Sequence, residues 1–260
     1  MTVEAAADRL LGAYRDRRPC APVRDLIGGD DVEAAYAVQQ RVNEARIAAG
    51  AAVVGRKIGL TSAAVRAQLG VDSPDFGVLF DDMAMREDHP VPVDLLLQPK
   101  VEAEIAFVLA EDVDDPDGDL AGRVAYAAPA LEVVDSRIAD WDITLGDTVA
   151  DNASSGLFVL GEARVPLGRL DPVATRMVMT RGGEVVARGT GADCLGDPLE
   201  ALRWLARTAC ATGSPLLAGQ VVLSGALGPM VVVRGGDTVR ARLSGLGDVT
   251  ATFTTGEERT

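Results

Sequence analysis

The run Val101–Leu109, VEAEIAFVL, opens on alternating apolar and acidic positions, continues apolar and predicts a β-strand. Residues two apart in a strand share a face, so Val101, Ala103, Ile105 and Phe107 point one way. Glu102 and Glu104 point the other way, on a face that continues as Ala106 and Val108. Both faces therefore read as buried. A second apolar run, Pro129–Val134, carries Glu132. Helical spacing governs the start of the chain. Residues 3–17 set Leu10, Leu11 and Tyr14 on one face, and Pro19 and Pro22 break the pattern. Asp30 or Asp31 caps a second helix over Val32–Ala49, which Gly50 ends.

Ala52–Leu60 is strand-like, and Thr61 or Ser62 caps a short helix, Ala63–Leu69, that stops at Gly70. SPDFG, Ser73–Gly77, reads as a turn or loop. Beyond Met177 strands dominate. Arg176–Thr180 and Glu184–Gly189 flank a Gly182-Gly183 hairpin turn. Leu199–Ala211 is an amphipathic helix, followed by short strands at Val221–Ser224, Met230–Val233, Val239–Leu243 and Val249–Thr254. Elements of both kinds predict an α+β fold. Residues 1–50 are expected to form a helical N-terminal element, and residues 51–260 a β-rich domain that carries the glutamate strands.

Composition narrows the possibilities. Hydrophobic residues make up 48% of the chain but aromatics only 4%, so Ala, Val and Leu must fill the core. The net charge of −14 argues against nucleic acid or an anionic membrane as partner. Cys20, Cys194 and Cys210 are odd in number and form no CxxC, which predicts reduced thiols in a cytoplasmic protein. The N-terminus lacks the apolar core of a signal peptide, and no run approaches the ~18 apolar residues of a membrane span. The acidic stretch Glu111–Asp119 puts Val113 and Val124 where a calcium loop needs its first and twelfth ligands, so it reads as a solvated connection. His89 is the only histidine and sits in a charged loop, EDHPVP. Catalysis by Ser-His-Asp, Cys-His or HExxH is thereby excluded. Proton transfer falls to Lys, Asp, Glu, Tyr or water.

The two glutamates of VEAE are either surface groups on an edge strand or buried groups that need a cation. With Glu132 on another apolar strand, the simplest cation is divalent, and all-oxygen ligation favours Mg²⁺ or Mn²⁺. Lys57, in VVGRKIGLTS, is either a snorkelling surface lysine or a desolvated acid/base group. Asp75 either satisfies its own turn or takes part in chemistry. Asp151, Asn152, Ser154 and Ser155, in ADNASSG, can cap backbone groups or bind a carboxylate. Arg137 is a structural ion pair or a carboxylate clamp.

Together, GRKIGLTSAAVRAQLGVDSPDFGVLFDDM, QPKVEAEIAFVL, PALEVVDSRIADW, DTVADNASSG and GALGPMV resemble the 2-keto-4-pentenoate hydratases of the fumarylacetoacetate hydrolase superfamily. The resemblance runs from about Pro22 to Phe253. It implies a mixed β-roll core, Mg²⁺ or Mn²⁺ on Glu102, Glu104 and Glu132, and Lys57 and Asp75 as acid/base residues. It places Ser154 at the substrate site, while Arg137 and Asn152 are further candidate substrate-binding groups on their residue types alone. The implied activity is that of a hydro-lyase in the meta-cleavage catabolism of aromatic compounds. It adds water to 2-hydroxypenta-2,4-dienoate or a close homologue and yields a 4-hydroxy-2-oxo acid. The rivals are a 4-oxalocrotonate-type decarboxylase, a diacid hydratase needing one more cation, and a non-catalytic partner subunit. A homo-oligomer larger than a dimer, associated with pathway enzymes, is also expected.

Overall fold

The computed structural model describes residues 2–63, 66 and 72–255. Most of the helix expected over Ala63–Leu69 lies outside the described residues. Three helices open the chain: α1 (Thr2–Asp16), α2 (Arg24–Ile27) and α3 (Val32–Ala48). Asp31 caps α3 by accepting from the Ala34 N–H at 2.9 Å. These helices bury Leu10, Val38 and Val42 together with Ile138, Val149 and Ala150. Val149 and Ala150 belong to α4 (Leu145–Ala150), so the N-terminal helices share a core with a much later segment. At six residues α4 is too short to show helical periodicity in the sequence.

The strands in chain order are β1 (Val53–Gly59), β2 (Asp75–Phe80), β3 (Ala84–Met85), β4 (Lys100–Leu109), β5 (Val124–Val134) and β6 (Ser155–Leu160). There follow β7 (Arg176–Arg181), β8 (Glu184–Thr190), β9 (Val221–Ala226), β10 (Val231–Val232), β11 (Thr238–Leu243) and β12 (Gly247–Thr252). Among the described residues they form a large sheet ordered β2-β1-β9-β4-β5-β6-β3, with β10 beside β4, and a small one ordered β12-β11-β7-β8. The large sheet is mixed. β1 pairs with β9, and β3 with β6, in parallel, while its other pairs are antiparallel. Helix α5 (Pro198–Ala211), capped by Asp197, packs on β9 and buries Leu202, Leu205 and Ala209 in the main core. The α+β architecture matches expectation, as does the hairpin, whose Gly182 and Gly183 both have positive φ.

One segment departs from expectation. Only Ser73 and Pro74 of SPDFG lie in a loop: Asp75 starts β2, whose residues are all buried and pair antiparallel with β1. The turn-like composition has a packing cause. A Cβ on Gly77 would stand 2.3 Å from the Asn152 carbonyl oxygen and 2.6 Å from Ser155 Oγ, so only glycine fits where that backbone presses on the strand. The acidic stretch after β4 is largely exposed, and so is His89. Among the described residues no helix is long and apolar enough to cross a membrane.

Candidate active site and metal centre

The strand registers put the site's side chains on one face of the large sheet. Glu102 on β4 stands directly opposite Glu132 on β5, and Glu104 lies two residues further along β4. Facing like charges on neighbouring strands repel, so this pairing needs a compensating cation. On β1 and β2, Gly59 pairs with Asp75 and Lys57 with Gly77, which sets Lys57 and Asp75 diagonally on one face. From β1 to β5 is three strand steps in the sheet order. In a flat sheet that is about 14 Å. Lys57 Nζ nevertheless lies 3.2 Å from Glu132 Oε1, because the sheet curls and its concave face converges.

One carboxylate oxygen from each of Glu102, Glu104 and Glu132 lies within 4.8 Å of the others. Glu104 and Glu132 are 0% and 1% exposed. Glu104 Oε2 accepts from the Gly225 N–H at 2.7 Å, but its Oε1 and Glu132 Oε2 accept no hydrogen bond, and Glu132 Oε1 has only the ion pair with Lys57. Buried carboxylate oxygens without donors are costly. A hard divalent cation satisfies them, and an all-oxygen donor set suits Mg²⁺ or Mn²⁺. Burial, then the charge of Glu132, pushes the Glu102 carboxyl up to about 7. Burial, Glu132 and Glu102 together push Glu104 well above its ordinary value. Repulsion of this kind would be relieved by a bound cation.

Lys57 is 3% exposed. Burial alone would lower its ammonium, but Glu132, and after it Asp75, Glu102 and Glu104, outweigh burial and hold it above the usual lysine value. Burial raises Asp75 to about 6, against the opposing pull of Lys57. Asp75 Oδ1 has no hydrogen-bond partner.

A cavity of about 310 Å³ opens over this cluster. Its polar lining includes Lys57, Asp75, Glu102, Thr148 and Ser154, and its apolar walls include Leu60, Val134, Ile143, Ala226 and Met230. Ser154 Oγ and Thr148 Oγ1 lie 3.4 Å apart. Ser154 is presented by an unusual turn: Asn152, Ala153 and Ser154 all have φ between 51° and 55°. Left-handed backbone at non-glycine residues costs of order 1–3 kcal/mol each and needs support. Arg137 supplies much of it. Its Nε donates to Asp151 Oδ1 at 2.6 Å, and its two terminal nitrogens donate to the Asp151 and Ser155 carbonyls, each at 2.7 Å. Asn152 adds a pair of bonds to β2, exchanging 2.9 and 2.8 Å hydrogen bonds with the Val78 backbone.

The structure thus brings together six of the eight residues singled out in the sequence: Lys57, Asp75, Glu102, Glu104, Glu132 and Ser154. It does not bring the side chains of Arg137 and Asn152 into the cavity. Of the two roles open to Arg137, the buried ion pair is the one it forms. Both residues hold the turn that carries Ser154 rather than reaching a ligand. Thr148, Lys100 and Trp141 also line the cavity and were not singled out. Their meeting depends on tertiary contacts that no local pattern displays.

The model of the fumarylacetoacetate (FAA) hydrolase C-terminal family matches residues 33–254. The chain is 54% identical over 254 residues to the TodF product hydratase of Pseudomonas putida strain F1, covering 96% of this chain and 95% of that one. It is 54% identical over 256 residues to the 2-keto-4-pentenoate hydratase of Burkholderia vietnamiensis strain G4, covering 97% and 98%. Among solved structures, 4-oxalocrotonate decarboxylase from Pseudomonas putida G7, complexed with magnesium and adipate, superposes with a TM-score of 0.92 at 34% identity, covering 96% and 97% of the two chains. With three clustered glutamates facing a Lys-Asp pair and a family match over most of its length, the chain belongs to the fumarylacetoacetate hydrolase family.

Proposed function

We propose that the protein is a metal-dependent hydro-lyase that adds water to 2-hydroxypenta-2,4-dienoate or a close homologue. The observation that carries this is the placement of Lys57 and Asp75 beside three clustered carboxylates, two of which, Glu104 and Glu132, have buried oxygens without a hydrogen bond, under a cavity with apolar walls. Glu102, Glu104 and Glu132 would hold Mg²⁺ or Mn²⁺, which supplies Lewis acidity toward the carboxylate and 2-oxygen of the substrate. Magnesium in the decarboxylase neighbour and the names of the hydratase relatives support the same reading.

Lys57 and Asp75 act as a pair. One delivers a proton to C5 as the 2-hydroxyl loses its own, converting the dienol to an α,β-unsaturated 2-oxo acid. The other positions the water that attacks C4, while C3 takes up a proton. The sum is one water added, giving a 4-hydroxy-2-oxo acid. Ser154 and Thr148 offer hydroxyls to the bound oxygens, and the apolar walls keep bulk water from the dienol. A homo-oligomer larger than a dimer belongs to the same reading, supported by Ile47 and Val232, which stay 50% exposed. Cytoplasmic location is supported by three cysteines without disulfides.

The experiment is product identification by NMR after incubation with a panel of dienols and Mg²⁺. A 4-hydroxy-2-oxo acid is expected from the dienol monoacid. Release of CO₂ from a 2-oxo-3-enedioate, without hydration, would replace this reading with the decarboxylase one.

A further inference from the structure

Lys100 is the one cation in this cavity besides Lys57, among the described residues. It begins β4 and shares a face with Glu102 and Glu104, so one strand face presents Lys100, Glu102 and Glu104 in order. Its Nζ stands 3.9 Å from the centroid of the Trp141 ring. An ammonium over an indole face is a cation–π contact, favourable yet weak enough to be exchanged for a carboxylate. Lys100 and Trp141 also line a second cavity, of about 410 Å³, whose other walls include Leu97, Val232 and Arg234. The pair therefore stands on the boundary between that groove and the cavity over the glutamates.

This boundary is rigidly built. Trp141 Nε1 donates to the Gln98 carbonyl at 3.0 Å. The Gln98 side chain accepts from the Asp140 N–H at 2.7 Å and donates to the Ser136 and Ile138 carbonyls. Asp135 accepts from the Leu97 and Gln98 N–H groups. Asp140 and Trp141 both hold positive φ, 59° and 55°. The half-buried Gln98 side chain thus fixes two residues of left-handed backbone, a conformation that persists only where its surroundings hold it. This bracket sets the Trp141 ring and the start of β4 at a fixed spacing.

The charge count gives Lys100 its task. Three glutamates carry three negative charges, a divalent ion two positive, Lys57 one positive and an ionised Asp75 one negative, leaving −1. The carboxylate of a dienoate makes it −2, in a chain whose net charge is −14. Lys57 is already engaged with Glu132. We propose that Lys100, held over Trp141 at the mouth of the site, is the cation that docks the substrate's carboxylate. The inference rests on the reading of the site as one for 2-hydroxydienoates.

The test separates the two. Binding of 2-oxopentanoate, a saturated 2-oxo acid that cannot be hydrated, is measured calorimetrically in the Mg²⁺-loaded protein. Lys100→Met is expected to weaken it roughly 10–100-fold, as loss of a charged hydrogen bond does. Lys100→Arg should recover most of that, and Mn²⁺ affinity by electron paramagnetic resonance should match the parent in both variants. With the dienol, Lys100→Met should raise KM by a similar factor and leave kcat within a few-fold. Parent-like binding of 2-oxopentanoate by Lys100→Met overturns the proposal, and so does a loss of Mn²⁺ affinity in step with it. Because the ligand is not turned over, failure of the parent to hydrate any dienol would count against the hydratase reading and leave this measurement intact.

Discussion

At Gly59 a single hydrogen atom decides whether Asp75 can stay beside Lys57. A Cβ there would lie 2.1 Å from Asp75 Oδ1 and 3.5 Å from Lys57 Nζ. Gly59→Ala is therefore expected to displace the Asp75 carboxylate and depress turnover while Mn²⁺ binding persists, which calorimetry and a rate assay on one preparation can compare. Direct removal is the stronger case. Lys57→Ala and Asp75→Asn should each lower the hydration rate by ~10²–10⁴. Exchange of C5 protons in D₂O then divides the roles: a variant that still exchanges but does not hydrate has lost the water-positioning group. Native rates in both variants would show the chemistry lies elsewhere. The sequence displayed these residue types but not their surroundings. Whether burial or the glutamate charges would govern Lys57 could not be read from VVGRKIGLTS, because the deciding neighbour, Glu132, is 75 positions away and comes close only through the curl of the sheet.

Among the elements, the turn Asn152–Ser154 depends on a buried pair, Arg137 with Asp151, whose side chains are 2% and 0% exposed. Removing one partner of such a pair leaves an uncompensated charge and typically costs about 3–5 kcal/mol. Arg137→Met should thus lower the denaturant midpoint strongly, whereas Ser154→Ala, which removes a hydroxyl at the cavity, should leave stability nearly unchanged and affect substrate binding. If chemical denaturation shows Arg137→Met as stable as the parent, the bolt described here is not what holds the turn. The β4 strand was legible because apolar and acidic positions alternate over Val101–Ile105 and an apolar run then continues to Leu109. β2 was not, because Pro74, Asp75 and Gly77 are turn-forming types. Their use in a strand follows from Asp75 facing Lys57 and from Asn152 and Ser155 pressing on Gly77. The same Asn152 amide, bonded to Val78 on both its donor and acceptor sides, reads as a ligand-binding group until that partner is seen.

Across the whole molecule, the large sheet turns one face of β1, β2, β4 and β5 toward a single cluster, where Lys57 of β1 reaches Glu132 of β5, and it is there that we propose the glutamates hold metal and Lys57 and Asp75 move protons. The strands were visible one by one, but their order β2-β1-β9-β4-β5 draws β9 from the far end of the chain and could not be read from local pattern. Light scattering should find an assembly larger than a dimer, and an active 27.1 kDa monomer would contradict that expectation. The central claim is metal-dependent hydration at the three glutamates. It is tested most directly by following the loss of dienol absorbance, with NMR identification of product, in chelator-stripped parent and Glu104→Gln before and after adding Mg²⁺ or Mn²⁺. The account predicts that stripped parent is inactive and regains formation of the 4-hydroxy-2-oxo acid on metal addition, while Glu104→Gln binds Mn²⁺ at least tenfold more weakly and recovers little activity. Full hydration by the stripped Glu104→Gln variant would contradict it.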